Sequence, residues 1–134
     1  MSGPQAALDH LAGVLDARDV DFQRVAIDIA AHSRMLDPIL AEFRTFLRKL
    51  TLSAPQIPVI SNRSGQPSTA EQATDPDYWP GQLRNTVYFA NCIAELAAQP
   101  DRVFLEVGPG KALSALAQMN DSVKPGQVLS SLRH

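Results

Sequence analysis

The sequence predicts an α/β domain on three observations. Apolar residues recur at helical spacing over 8–15 and again over 36–50. Val103 to Val107 is a short apolar-centred run of the kind that forms a buried strand. That run passes directly into Gly108-Pro109-Gly110-Lys111 and a further helical pattern through Met119, the strand–turn–helix order of α/β chains. With 134 residues, 45 % apolar and 19 % charged, the chain is long enough for one core and too apolar to be disordered.

The first helix opens at Ser2-Gly3-Pro4-Gln5, where Ser2 is placed to cap, Pro4 suits the first turn and Gln5 completes a capping box. Leu8, Leu11, Val14 and Leu15 carry it to about Arg18. Phe22 to Ile29 reads as a strand, because Val25, Ile27 and Ile29 alternate with Arg24, Ala26 and Asp28. From His32-Ser33 a long helix is expected, with Leu36, Ile39, Leu40, Phe43, Leu47 and Leu50 on one stripe and Pro38 in its early turns. Arg34, Glu42, Arg44, Arg48 and Lys49 read as its solvated face.

Pro55 and Pro58 bracket an extended piece, with Val59-Ile60-Ser61 as a brief buried strand, and 62–73 is turn-rich around Gly65, Pro67 and Ser68. Asp75-Pro76 is a compact helix start, with Asp75 and Asp77 read as caps. Tyr78, Trp79, Leu83, Val87, Phe89, Ile93 and Leu96 lie along one or two helices, and Gln127 to Leu132 suggests a last edge strand.

Charge and composition exclude several functions. A net charge of −2 offers no basic surface for nucleic acid or an anionic membrane. No apolar run reaches the roughly 18 residues that span a bilayer, and the N-terminus lacks the order of a signal peptide, so a cytoplasmic protein is expected. A single cysteine, Cys92, excludes an internal disulfide and a multi-cysteine metal site, and no metal is expected. Cys92 falls on an apolar helix side and reads as a buried, inert thiol.

Gly108-Pro109-Gly110-Lys111-Ala112 is too short for a phosphate loop, lacks the hydroxyl that would hold magnesium, and loses a donor at Pro109. A tight strand-to-helix connection explains it better. Of three histidines, His10 and His134 read as exposed and idle. His32 falls just past the carboxyl end of an expected strand, the edge where open α/β folds bind ligands. Spacing alone fits a structural or capping histidine as well as a general base. No GxSxG elbow or HExxH motif is present.

Six blocks, in order over nearly the whole chain, resemble the acyltransferase domains of modular polyketide synthases. They are Ala31-His32-Ser33-Arg34-Met35 with Pro38; Pro58-Val59-Ile60-Ser61-Asn62 with Gly65; and Asp75-Pro76-Asp77-Tyr78-Trp79. Gln82-Leu83-Arg84-Asn85-Thr86-Val87 with Phe89-Ala90, Phe104-Leu105-Glu106-Val107-Gly108-Pro109-Gly110, and the closing Ser131-Leu132-Arg133 complete them. The malonyl-CoA:carrier-protein transacylases share the pattern more loosely.

The resemblance implies the carboxyl-terminal part of an α/β-hydrolase-like acyltransferase core over 30–134, preceded over 1–29 by a remnant of a small ferredoxin-like subdomain. The family's serine nucleophile lies in a GHSxGE block that these residues do not contain, so the chain reads as a fragment that is inactive alone. By resemblance His32 is the base that takes the serine proton, and the backbone carbonyl of Gln82 orients its ring. Ile29, Ala31, Asn62 and Ala112 match positions near the substrate pocket. The family moves a malonyl-type unit from acyl-CoA, through an acyl-serine, to the phosphopantetheine thiol of an acyl carrier protein. Its partners are therefore that carrier, the rest of the acyltransferase domain and flanking synthase domains, and the segment itself binds no cofactor.

Extender choice in the family partly follows the four residues that end at the histidine, here Ile29-Ala30-Ala31-His32. Malonyl-type domains usually show His-Ala-Phe-His and methylmalonyl-type domains Tyr-Ala-Ser-His; this chain matches neither outside Ala30 and His32. A phenylalanine at position 31 would fill the space that a branch needs, whereas Ala31 leaves it open, which points to an enlarged pocket. The competing expectation, from a different class, is a stand-alone α/β interaction module that keeps the fold without the chemistry.

Overall fold

The computed structural model describes residues 1–25 and 29–132. The chain divides into two compact units, Met1–Leu52 with Asp75–Thr86, and Ser53–Thr74 with Val87–His134.

In the first unit, helix α1 spans Gln5–Asp16, and its N-cap is Pro4 with no side-chain cap bond. Ser2 therefore does not cap it. The helix ends in a left-handed Asp19 (φ 53°), with the Val20 N–H donating back to the Leu15 carbonyl at 3.1 Å. The strand expected over Phe22–Ile29 is absent from Phe22 to Val25, and Val25 and Ile29 are exposed. Ala26, Ile27 and Asp28 lie outside the described residues. Alternation makes a strand only where another strand pairs with it, and among the described residues no strand pairs with 22–25.

The long helix expected from Ser33 is two elements. Ser33 caps a 3-10 helix, Arg34–Ile39, by accepting the Met35 N–H at 3.2 Å; helix α2, Leu40–Leu47, follows. Pro38 is the cause, because it lacks an N–H and disfavours α geometry at the preceding residue. Helix α4, Tyr78–Arg84, packs on α2 and on the 3-10 helix, and Leu36, Leu47 and Pro80 are buried. Asp75 caps the turn before α4 by accepting the Asp77 N–H at 2.8 Å. Asp77, expected as a cap, instead pairs with Arg44 of α2 (2.8 Å) and with Arg48 just past its end (3.1 Å). These arginines are thus an ion-paired, solvated helix face.

In the second unit, Val59-Ile60-Ser61 is reduced to one antiparallel bridge, Ile60 with Pro67. Ser61 is buried, but Val59 is exposed. The turn-rich stretch ends in a five-residue helix α3, Ala70–Thr74. Helix α5, Phe89–Ala97, buries Cys92 and Ile93. Strand β1, Phe104–Glu106, helix α6, Ala112–Gln118, and strand β2, Val128–Ser130, form a β-α-β crossover with parallel strands, Leu105 opposite Leu129.

The strand over 103–107 forms, yet it is not buried as expected. Phe104, Glu106, Val128 and Ser130 are half-buried, and Glu106 and Ser130 hydrogen-bond to α6. Leu105 and Leu129 point to the opposite face and are exposed, as are Val103 and Val107. Side chains alternate across a strand, so one covering helix buries one face only.

Candidate active site

His32 stands at a corner that the backbone itself defines. Its φ is 58°, the left-handed region that side chains with a Cβ seldom adopt. The corner is held from both sides. Ser33 Oγ donates to the Ala30 carbonyl at 2.6 Å, and the His32 N–H donates to the Leu83 carbonyl at 3.2 Å. The imidazole is solvent-exposed, and its Nδ1 lies 2.9 Å from the Asn85 carbonyl oxygen.

The end of α4 makes this possible. Asn85 leaves helical geometry (φ −90°, ψ 169°), and both its N–H (3.0 Å) and its side-chain Nδ2 (2.8 Å) donate to the Gly81 carbonyl. Closing the helix in this way leaves the Leu83 and Asn85 carbonyls, orphaned at any helix end, to meet His32. A carbonyl only accepts, so Nδ1 carries the proton. The neutral ring then keeps its Nε2 lone pair free. The group at the ring is thus a backbone carbonyl, as expected, but it belongs to Asn85 and not to Gln82, three residues earlier. The helix end, not the middle of α4, faces the histidine.

Ile29 and Ala31 flank the corner, and both are exposed. Gln82 is half-buried within α4. Asn62 and Ala112 belong to the second unit. Asn62 is half-buried; its carbonyl accepts the Tyr88 N–H at 2.7 Å, and its Oδ1 accepts the Cys92 thiol at 3.4 Å. Ala112 is the exposed first residue of α6. Cys92 is buried, and desolvation pushes its thiol pKa up, which makes it the inert group expected. His10 is exposed; His134 lies outside the described residues. Tyr78 and Trp79 pack edge to face at 5.7 Å.

Sequence reasoning missed Glu106. Its carboxylate accepts the N–H groups of Leu113 (3.2 Å) and Ser114 (2.9 Å) in the first turn of α6. Hydrogen bonds from Ser114, and then from the Leu113 N–H, hold its pKa below the ordinary glutamate range. A carboxylate already occupies the amides that a phosphate would need after the glycine turn. The available signal was an acid at the end of a strand, a few residues before a helix start. Among the described residues no group of three His, Cys, Asp or Glu side chains could hold a metal ion. No helix among them is long and apolar enough to cross a membrane.

The acyl transferase domain family matches residues 1–132. The chain belongs to that family. This acyl transferase chain is 32 % identical over 117 residues to a component of the phenolphthiocerol/phthiocerol polyketide synthase of Mycobacterium tuberculosis, covering 87 % of the chain and 8 % of that protein. It is 36 % identical over 118 residues to the spectinabilin polyketide synthase system protein NorB of Streptomyces orinoci, covering 88 % of the chain and 5 % of that protein. Among solved structures, the acyl transferase domain of SpnD in complex with 2-(pent-4-yn-1-yl)malonyl superposes with a TM-score of 0.89 at 41 % identity, over 98 % of this chain and 32 % of that one. The malonyl-CoA:acyl carrier protein transacylase FabD of Xanthomonas oryzae matches with a TM-score of 0.79 at 26 % identity, over 96 % of this chain and 40 % of that one. The acyl transferase chain therefore spans well under half the length of these relatives. Its fold is that of the acyl transferase domain, within the α/β class.

Proposed function

We propose that this chain supplies the histidine half of an acyl transfer site that moves a malonyl-type unit from coenzyme A to the phosphopantetheine thiol of an acyl carrier protein. In this reading 30–134 is part of an α/β-hydrolase-like core and 1–29 the remnant of a small ferredoxin-like subdomain, as the resemblance of the motif blocks implies. The observation that carries the proposal is the exposed His32 ring, with Nδ1 bound to the Asn85 carbonyl and Nε2 left free.

In the first half-reaction Nε2 takes the proton of a serine hydroxyl as its oxygen attacks the thioester carbonyl. The carbon–sulfur bond then breaks, and the imidazolium returns the proton to the departing coenzyme A thiol. In the second half-reaction the carrier's thiol gives its proton to Nε2 while its sulfur attacks the acyl-serine. The serine oxygen leaves and takes the proton back. The sum is a thioester exchange without a redox step or a cofactor in this segment. The Asn85 carbonyl holds the tautomer but stabilises imidazolium less than a carboxylate would.

These 134 residues contain no GxSxG block, so the serine comes from a segment outside them. Ile29 and Ala31, beside His32, border the acyl group. The small Ala31 leaves room for a branched unit, and the SpnD domain solved with a pentynyl-bearing malonyl group supports an enlarged pocket. Other partners are the remaining acyltransferase and synthase domains, in the cytoplasm.

The test is intact-mass detection of an acyl-enzyme and of acylated carrier protein, starting from malonyl-CoA. A polypeptide that joins this chain to its serine segment should form both, and the 134-residue chain alone should form neither. Stoichiometric acylation of the chain alone would overturn the proposal.

A further inference from the structure

We propose that Arg84 and Asp37 are a positioning pair for His32. The inference rests on the reading of His32 as the base. Three consecutive residues at the end of α4 each tie to the segment that begins at His32. The Leu83 carbonyl takes the His32 N–H, the Asn85 carbonyl takes the ring Nδ1, and between them Arg84 Nε donates to Asp37 Oδ1 at 2.5 Å. Arg84 immediately precedes the carbonyl that orients the ring, and Asp37 lies in the short 3-10 helix that follows the ring.

That placement matters because the other ties are weak. His32 is exposed, so water competes for both of its bonds. The 3-10 helix has poorer hydrogen-bond geometry than an α-helix and contains Pro38, which donates no backbone hydrogen bond. Each tie at His32 depends on the distance between α4 and the 3-10 helix, and the ion pair spans that distance. The Arg84 side chain is 27 % exposed, against 41 % for Arg44 and 60 % for Arg48 in their pairs with Asp77. A planar guanidinium offers its N–H groups in fixed directions, so the contact sets an orientation as well as a separation.

The pair touches neither substrate nor reacting atoms and acts through His32 alone. In the transferring polypeptide, Arg84→Gln and Asp37→Asn should each lower kcat/KM by about tenfold, within the range that small misplacements of a reacting group produce. The double variant Asp37→Arg with Arg84→Asp should recover most of the rate, and thermal midpoints should barely move, as for exposed ion pairs. In a His32→Ala background, Arg84→Gln should cause no further loss, because nothing is left to position.

Wild-type rates in the single variants, or an equal loss with and without His32, would overturn the pair while leaving the base reading intact. Wild-type transfer by His32→Ala would overturn both. If Arg84→Gln does not fold, the charge-swapped variant decides: recovered transfer supports the pair, and a folded swap as slow as His32→Ala refutes it.

Discussion

Replacing His32 by glycine should abolish rapid transfer at almost no cost in stability. Three terms set the stability change. The left-handed φ of 58° costs a residue with a Cβ about 1 kcal/mol, which glycine recovers. The exposed bond to the Asn85 carbonyl contributes about 0.5 kcal/mol, at the low end for hydrogen bonds, and is lost. The extra freedom of glycine in the unfolded chain costs about 0.7 kcal/mol. The sum lies within a few tenths of zero. Alanine keeps the strained φ and loses the bond, so His32→Ala should be slightly less stable than His32→Gly. Acyl transfer should fall about 100-fold or more in both, the loss expected for a positioned general base and equal to about 2.7 kcal/mol of barrier. Urea unfolding and transfer from malonyl-CoA to a phosphopantetheinylated carrier protein, measured on the same preparation, separate the two effects. A glycine variant destabilised by more than about 2 kcal/mol would mark a structural histidine and refute the reasoning, because none of the three terms reaches that size.

Three further outcomes follow from the backbone and the site. Gly65 sits at φ 73° in a buried turn, and a Cβ there would clash with Asn91 Cβ, so Gly65→Ala should lower unfolding free energy by about 2–4 kcal/mol. Gly13, inside α1 with nothing near its Cβ position, is the control, and Gly13→Ala should raise stability by up to about 1 kcal/mol in the same urea titrations. Because the pKa of Glu106 is lowered on folding, its contribution is fully present above the ordinary glutamate range and is lost as pH falls through the depressed value. Glu106→Gln should therefore be less stable than wild type at neutral pH, and the two curves of thermal midpoint against pH should converge in acid.

The sequence was most legible where local chemistry decides. A helix begins at Ser33, Pro38 sits in the first turns after the histidine, α6 follows the glycine turn, and β2 lies in the tail. The order of motif blocks was enough to place the chain in its family. What it could not specify was which carbonyl meets the ring. Gln82 and Asn85 are three residues apart, on the same face of a helix that continues. Only the end of α4, where Asn85 turns extended and caps Gly81, selects one of them.

By itself, then, the sequence determined the α/β class, the family and the absence of a serine elbow within these residues, because each is a property of residue type, short spacing and the order of motif blocks. The tertiary structure alone decided burial and pairing. Val103 to Val107 is apolar enough for a core strand, but a strand is buried only by what packs on both faces, and α6 covers one. Arg84, Asp37 and Glu106 read as ordinary surface charges until the fold brings α4 to the 3-10 helix and β1 to the start of α6. Charged groups gain their roles from partners distant in sequence, and contact at that distance is set by packing rather than by local pattern.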